Sequence, residues 1–490
     1  EIMAFWDPPS LARLAAASTG LYVTINGSND VWRALVAALA PLYQDASTKH
    51  VVEYQGTWRA TAAWLHVQLQ QLRGRCLKMS AEAATSMRSP CCRAFEGRPW
   101  HSDSMFQSWL CTLMPPDFKR LDRATARKSG LVGTPSAWCA SPMFRDVPRE
   151  SGLSVAEFKQ RFEQPNTPVI LTDVAKRWRL FELLGGDLAN LRTRTDDILR
   201  GGAGSGARFR CESILMSLPG YADYAAQQRD ERAAYLFDAD FNDGPFRDGL
   251  WEVPKCFAVD DLFAALGNKR PNYRWLIAGP ARAGSSFHID PNFTNAWNAC
   301  LTGRKRWLMF PPNVVPPGVY PSEDMADVTT PVSLTEWLLN YYEEARRLHH
   351  NVGYECVVEP GETIFVPCGW WHCVINLEPS VAVTQNYVSD SNLGKVLKFL
   401  KTMPNSISGI GEEDATDAAA LARRRAGFYK EFADKVKAYR PDLAPAVDAT
   451  LDELHDMERA RSEARSRTDA KLERERERLA EIAREVEVER

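Results

Sequence analysis

The sequence predicts a mainly β fold, a β-sandwich or jelly-roll barrel carrying helices on its outside. Three observations lead there. First, residues 146–405 hold short β-rich runs: "PVILTDV", "AYLFDADF", "RWLIAG", "SSFHID", "RKRWLMFPP", "YECVVEPGETIFVP" and "HCVINLEPSVAVTQNYV". Each is bounded by Gly, Pro, Asn or Asp, the residues that end strands in turns. Second, the helical patterns "LSVAEFKQRFEQ", "VDDLFAALG" and "SLTEWLLNYYEEARRL" flank these runs, as helical decoration of a β-sandwich or barrel. Third, a chain 45% hydrophobic and 25% charged has ordinary globular composition. At 490 residues it exceeds one core and needs several units.

The remaining elements follow in order. Residues 1–45 read as small helices. In "DPPSLARLAAASTGLY", Leu11, Leu14, Ala15 and Leu21 fall near helical spacing, and Asp7 before Pro8 and Pro9 makes a helix start. "NDVWRALVAAL" gives a second helix with Asp30 near its start. Residues 46–145 form an irregular or helical linker region. Trp58, Trp64, Leu65, Leu69 and Leu72 are apolar there, but "RGRCLKMSAEAATSMRSPCCRAFEGRP" is loop-like and carries no chemistry. Residues 406–490 are a helical, charged tail. Leu472, Leu479 and Val486 fall seven apart, but this seam is thin, so a solvated helix with internal Glu–Arg pairs is favoured over a coiled coil.

Charge and cysteine usage exclude further classes. Sixty basic against 63 acidic residues leave a net charge of −3, so direct nucleic-acid binding is not indicated. No run of ~18 apolar residues exists, so no membrane-spanning helix is expected. Eleven cysteines, widely spaced and without a CxxC, fit reduced thiols better than disulfides or a zinc knuckle. Histidine is scarce: only eight are present to carry any metal or acid–base chemistry.

Two of the eight stand out. His288 and Asp290 end a predicted strand two residues apart, so both address one face. His372 follows "PGETIFVPCGWW", a strand, tight turn and second strand. Two His and one carboxylate around a metal, with positions left open, is the facial triad of non-haem Fe(II) oxygenases. A lone His-x-Asp is a weak signal. Lys305 on the next apolar strand strengthens it, because a buried lysine needs an anion. The run of Arg304, Lys305 and Arg306 does not itself decide which side chain faces inward.

The segment "SSFHIDPNFTNAWNACLTGRKRWLMFPP … VVEPGETIFVPCGWWHCVINLEPSVAVTQNYV" closely resembles the Jumonji-C 2-oxoglutarate oxygenases. "LSVAEFKQRFEQPNTPVIL", "AYLFDADF", "VPKCF", "DDLFAALG" and "PNYRWLIAGPARAGS" extend the likeness, which is strongest to the branch of lysyl hydroxylases also reported as arginine demethylases. The resemblance implies a cupin-like double-stranded β-helix over 146–405 with flanking helices. It puts Fe(II) on His288, Asp290 and His372. Lys305 and Thr384 would hold the distal carboxylate of 2-oxoglutarate, with Asn298 near the chelating end and Ser285 lining the pocket. Trp275 and Asn386 would border the substrate opening. The family also has a tyrosine that donates to the distal carboxylate. Aligned through "AYLFD", that position falls on Gly220, with Tyr221 as neighbour, so either Tyr221 fills in or the phenol is missing. The implied reaction consumes 2-oxoglutarate and O₂ and hydroxylates a lysyl side chain or demethylates an arginine or lysine N-methyl group. A protein substrate, histone or RNA-processing, is implied, as is a nuclear location with the cytoplasm left open. The helices of "SNLGKVLKFLKTMP" and "LARRRAGFYKEFADKVKAYR" suit either a homodimer or packing within one chain.

Residues 1–45 resemble a truncated F-box, which implies a Skp-type adaptor of a cullin ubiquitin ligase bound through the apolar helix faces. A non-catalytic adaptor using the barrel to capture targets is therefore the alternative to an enzyme. A jelly-roll hydrolase or isomerase using Zn or Mn has only the shared barrel in its favour.

Overall fold

The computed structural model describes residues 29–44, 50–76 and 143–463, apart from 229, 231–232, 243, 258–260, 332, 412–415 and 461. The "DPPSLARLAAAS" segment, the loop-like stretch from residue 77 and the Leu472–Val486 seam lie outside the described residues. The chain divides into two compact units, residues 1–259 with 272–387 and residues 260–271 with 388–490.

The first unit opens with α1 (Asn29–Tyr43) and α2 (Trp58–Cys76). Trp32, Leu35, Val36, Ala40 and Tyr43 recur every three to four residues and make one apolar stripe on α1. That stripe joins Trp58, Ala62 and Leu65 of α2 in the same core cluster as the large sheet below. The α1 face assigned above to an adaptor is thus spent inside the chain.

The strands follow: β1 (Arg149–Glu150), β2 (Val169–Leu171), β3 (Phe209–Cys211) and β4 (Ile214–Met216), then α3 (Leu218–Gln227). Next come β5 (Leu236–Asp238), β6 (Arg274–Gly279), β7 (Gly284–His288), β8 (Asn295–Thr302), β9 (Lys305–Phe310), β10 (Tyr320–Pro321) and β11 (Val328–Thr329). α4 (Leu334–Asn340) and α5 (Tyr342–His349) lead to β12 (Tyr354–Val358), β13 (Thr363–Val366), β14 (Trp371–Asn376) and β15 (Ser380–Tyr387). Ser217 and Ser333 start α3 and α4 by accepting from Gly220 N and Glu336 N.

Among the described residues, one sheet has the order β1-β2-β13-β8-β15-β6-β5-β3-β4 and a second has the order β12-β9-β14-β7. Ile170, Ala296, Cys300, Ile364 and Val366 of the first share a core with Trp307, Met309, Cys356 and Val374 of the second. The two sheets therefore pack face to face, as a jelly roll requires. α4 and α5 cover the outer face of the second sheet, where Trp337, Leu338 and Ala345 meet Phe287, Phe310 and Ile375. β8, β9, β14 and β15 are buried at every position. Covered on both faces, they lack simple apolar–polar alternation and read as apolar runs.

The second unit is helical. Leu262, Phe263 and Leu266 share a core with α6 (Leu393–Thr402) and α7 (Ala418–Tyr439), through Val396, Leu397, Leu400, Phe428, Phe432 and Val436. Lys398–Glu453 and Lys437–Asp448 pairs, at 2.7 and 2.5 Å, tie the helical residues beyond α7 to α6 and α7 respectively. These pairs are largely exposed and contribute little each. No helix of the described residues is long and apolar enough to cross a membrane.

Candidate active site

Register decides which side chains meet. Residues directly opposite in an antiparallel pair share a face. Lys305, Trp307 and Met309 stand opposite Asn376, Val374 and His372. On the other edge of β14, His288 stands opposite His372 and Ser285 opposite Val374. β7 thus spends one more residue than β14 over this interval, a β-bulge. The bulge places Ser285 and His288 on one interior face, although plain alternation would set residues three apart on opposite faces. In the facing sheet, Trp275, Thr384 and Asn298 lie in one row, with Asn386 opposite Ala296 further along.

The ligating atoms of His288, Asp290 and His372 all lie within 4.8 Å of one another. His288 Nδ1 is 2.7 Å from Ser286 O, and His372 Nδ1 is 3.0 Å from Trp370 O. A carbonyl only accepts, so each Nδ1 carries the proton and each Nε2 keeps its lone pair for the site. Burial pushes His372 well below the usual imidazole range, helped by the charge of His288, so it stays neutral. Burial lifts the Asp290 carboxyl to about 6, against His288 and a hydrogen bond from Asn386. Asp290 Oδ2 is buried without a hydrogen-bond partner. A shielded carboxylate oxygen beside two imidazole lone pairs is stable when a cation or proton sits between them. The donor set, two nitrogens and one oxygen, suits Fe(II).

Lys305 is 1% exposed, so its ammonium must be satisfied from within. Nζ donates to Tyr235 Oη and to Asn376 Oδ1, each at 2.9 Å. An ammonium has three donors, and the third is left for an anion. Asn376 is itself locked, because Nδ2 donates to Gly279 O and Pro280 O at 3.2 and 3.3 Å. Asn298 keeps a buried Oδ1 without a partner. The Thr384 hydroxyl donates to Trp297 O at 2.7 Å, so in this state it offers lone pairs, not its proton. Ser285 lines a cavity of about 370 Å³ with Tyr235, Phe237 and Arg282. Trp275 is half-buried and stacks on Phe237 with centroids 5.3 Å apart. Asn386 is buried, bonding to Thr294 Oγ1 at 2.8 Å and to the Asp290 carboxyl, so it holds a ligand more than it borders an opening.

The phenol is not missing, and it is not Tyr221. Gly220 sits in the first turn of α3, and the Tyr221 hydroxyl is fully engaged with Ala278 O at 2.6 Å, Ala234 O at 3.0 Å and Leu236 N at 3.3 Å. Tyr235 supplies the phenol at Lys305. It lies within "AYLFD" itself, the run used for the alignment, and alternation with Phe237 puts both on the cavity side. Gly279 makes the room: a Cβ there would stand 2.6 Å from the Tyr235 ring. Asn376 lies inside the quoted run "HCVINLEPSVAVTQNYV", but the resemblance assigned it no role.

Residues 216–392 match the model of the cupin-like domain. Over 410 residues the chain is 38% identical to the arginine-specific demethylase JMJ22 of Arabidopsis thaliana, covering 83% of this chain and 69% of that protein. The chain belongs to the Jumonji-C oxygenases. It is also 36% identical over 296 residues to the bifunctional arginine demethylase and lysyl-hydroxylase psr-1 of Caenorhabditis briggsae, covering 57% of this chain and 73% of that one. A shorter match, 34% over 134 residues, reaches the 2-oxoglutarate and iron-dependent oxygenase JMJD4 of Mus musculus, 26% of this chain and 30% of that one. As a Jumonji-C oxygenase the chain is an enzyme that depends on Fe(II) and 2-oxoglutarate. The jelly-roll expectation holds with it.

Proposed function

We propose that this Jumonji-C oxygenase acts on a basic side chain of a protein substrate, hydroxylating lysine or removing an N-methyl group from arginine or lysine. The observation that carries the reading is the His288–Asp290–His372 cluster sharing one barrel interior with Lys305, whose third donor is uncommitted to the protein. The names of JMJ22 and psr-1 support the choice of side chain.

Fe(II) would be held by Nε2 of His288 and His372 and by the Asp290 carboxylate. When bound, with 2-oxoglutarate and O₂, it supplies the oxidising power that replaces a C–H hydrogen by hydroxyl while releasing succinate and CO₂. The chain's residues do the rest. Lys305 meets the distal carboxylate as a point charge already held by Tyr235 and Asn376. Asn298 and Thr384, in one row of the facing sheet, and Ser285, on the face of His288, would fix the cosubstrate's orientation. The buried strands around it exclude bulk water. Trp275, with Phe237 stacked on it, offers an aromatic wall that suits a cationic side chain. Hydroxylation at an N-methyl carbon gives an N–CH₂OH group, which loses formaldehyde and leaves N–H.

A histone or an RNA-processing protein in the nucleus is the proposed substrate class. The test is mass spectrometry of candidate peptides after incubation with Fe(II), 2-oxoglutarate and O₂, with succinate measured in parallel. A gain of one oxygen atom means hydroxylation, and loss of a methyl group means demethylation. If wild type and His288→Ala yield the same background for all peptides, the reading fails.

A further inference from the structure

The N-terminal helices reach the cosubstrate lysine through one buried carboxylate. Asp230 is 1% exposed and lies on the segment leading into Tyr235 and β5. Its Oδ2 accepts from Trp58 Nε1 of α2 at 2.6 Å and from Tyr224 Oη of α3 at 2.8 Å. Its backbone oxygen accepts from Arg282 Nη2 at 2.9 Å. Three elements distant in sequence therefore converge on one residue. A buried donor or acceptor that loses its partner is left unpaired away from water, so each of these hydrogen bonds fixes the element that makes it.

Two routes lead on from Asp230, and both end on Lys305. In the first, the Tyr224 hydroxyl accepts from Ala234 N at 2.7 Å and so fixes the residue before Tyr235. In the second, Arg282 lies in the turn between β6 and β7, and its own N donates to Asn376 O at 2.8 Å. Tyr235 and Asn376 are the two groups that hold the Lys305 ammonium. We propose that Trp58 and Asp230 are positioning residues for Lys305, making the N-terminal helix pair part of the cosubstrate site. They touch neither cosubstrate nor metal. They set where the third ammonium donor points, and thereby the affinity for the distal carboxylate.

The inference rests on Lys305 receiving 2-oxoglutarate, as proposed above, so the experiment separates the two. Binding of 2-oxoglutarate is measured calorimetrically on the full chain loaded with Mn(II) without O₂, for wild type, Trp58→Phe and Asp230→Asn. Trp58→Phe removes the indole donor and keeps an aromatic ring but shrinks a fully buried side chain, so thermal melts of both variants establish folding before affinities are compared. The dissociation constant is expected to rise by about tenfold, the scale of lost supporting hydrogen bonds around a site, with Mn(II) affinity unchanged. In a Tyr235→Phe background the Trp58→Phe effect should shrink, because one route has lost its end point. Wild type that fails to bind 2-oxoglutarate overturns the functional reading. Wild type that binds, with a folded Trp58→Phe of equal affinity, overturns this inference alone.

Discussion

His288 and His372 face each other across the β7–β14 pair with ring centroids 4.2 Å apart. Each turns Nδ1 to the carbonyl two residues earlier in its own strand or turn, Ser286 O and Trp370 O. The two imidazoles are thus aimed before any metal arrives, and Asp290 stands beside them with a partnerless oxygen. His288→Ala, Asp290→Ala and His372→Ala should each abolish turnover and weaken Fe(II) or Mn(II) binding by at least about 100-fold. Folding should survive in His288→Ala and Asp290→Ala, whereas His372→Ala also removes a buried ring stacked on Trp307 and should lower the melting temperature. Metal titration and thermal melts check both halves.

Metal loading should depend on pH with a defined sign. The Asp290 carboxyl titrates at about 6 in the metal-free protein, and only the deprotonated form is a ligand. Above that value no proton competes at this group. Below it, affinity should fall by about tenfold per pH unit, with proton release on binding. His372, held neutral by burial, adds no competition near pH 7. Mn(II) titrations between pH 5 and 8 (a range chosen about the ~6 midpoint) read the slope. A flat profile contradicts the assignment.

The Lys305 ammonium gives two of its three donors to Tyr235 and Asn376, which leaves the third for the proposed cosubstrate. Tyr235→Phe should raise the 2-oxoglutarate concentration for half-maximal rate by about three- to tenfold, the scale of one lost hydrogen bond to a charged group, and leave the saturated rate nearly intact. Lys305→Met should remove binding altogether. Lys305→Arg should not rescue it, because a planar fork does not match acceptors placed for a compact ammonium. Steady-state kinetics across 2-oxoglutarate concentrations distinguishes the three.

His288 and Asp290 were legible from their two-residue spacing in "FHID", although β7 ends at His288 and Asp290 follows the strand instead of alternating within it; His372 was legible from the strand start at "WWH". Lys305 was legible only as a need for an anion, since the charged run Arg304–Arg306 hides which residue faces inward. Its burial comes from pairing opposite Asn376, a long-range register no local pattern states. The resemblance sets the tyrosine position on Gly220, so Tyr235, inside "AYLFD" itself, carries no mark of its role in the sequence. The decisive constraint, the missing side chain at Gly279 whose place the Tyr235 ring takes, appears only when β5 and β6 lie side by side. Ser285 shares the face of His288 through a bulge, which breaks the very alternation a sequence reading depends on. The large sheet's short β3 and β4 escaped notice, since strands this brief have no period to detect.

That same bulge makes Gly284 a sharp probe. A Cβ at this position would lie 1.9 Å from Val374 O and 3.0 Å from the Leu334 side chain. Gly284→Ala should push β7 off β14 and lower stability by about 1–3 kcal/mol, as overpacking does. Because β7 carries His288 at its other end, metal affinity should fall together with melting temperature. A variant that loses stability while keeping wild-type metal affinity would show that β7 yields locally and leaves His288 in place.

The α1–α2 pair shares one apolar core with the nine-stranded sheet, so the oxygenase unit should not survive without it. Trp32 is 3% exposed and sits in a cluster with Leu35, Trp58, Leu171 and Phe209. Trp32→Ala should cost about 3–5 kcal/mol, comparable to a large part of a domain's net stability. A fragment beginning at residue 146 removes every α1 and α2 contact at once. It leaves the sheet face at Phe209 and Met216 uncovered, an exposed apolar surface that favours aggregation. Denaturant unfolding of Trp32→Ala and soluble yield of the fragment test the claim. A fragment that is soluble, melts cooperatively and binds Mn(II) like the full chain would show the helix pair to be an appendage.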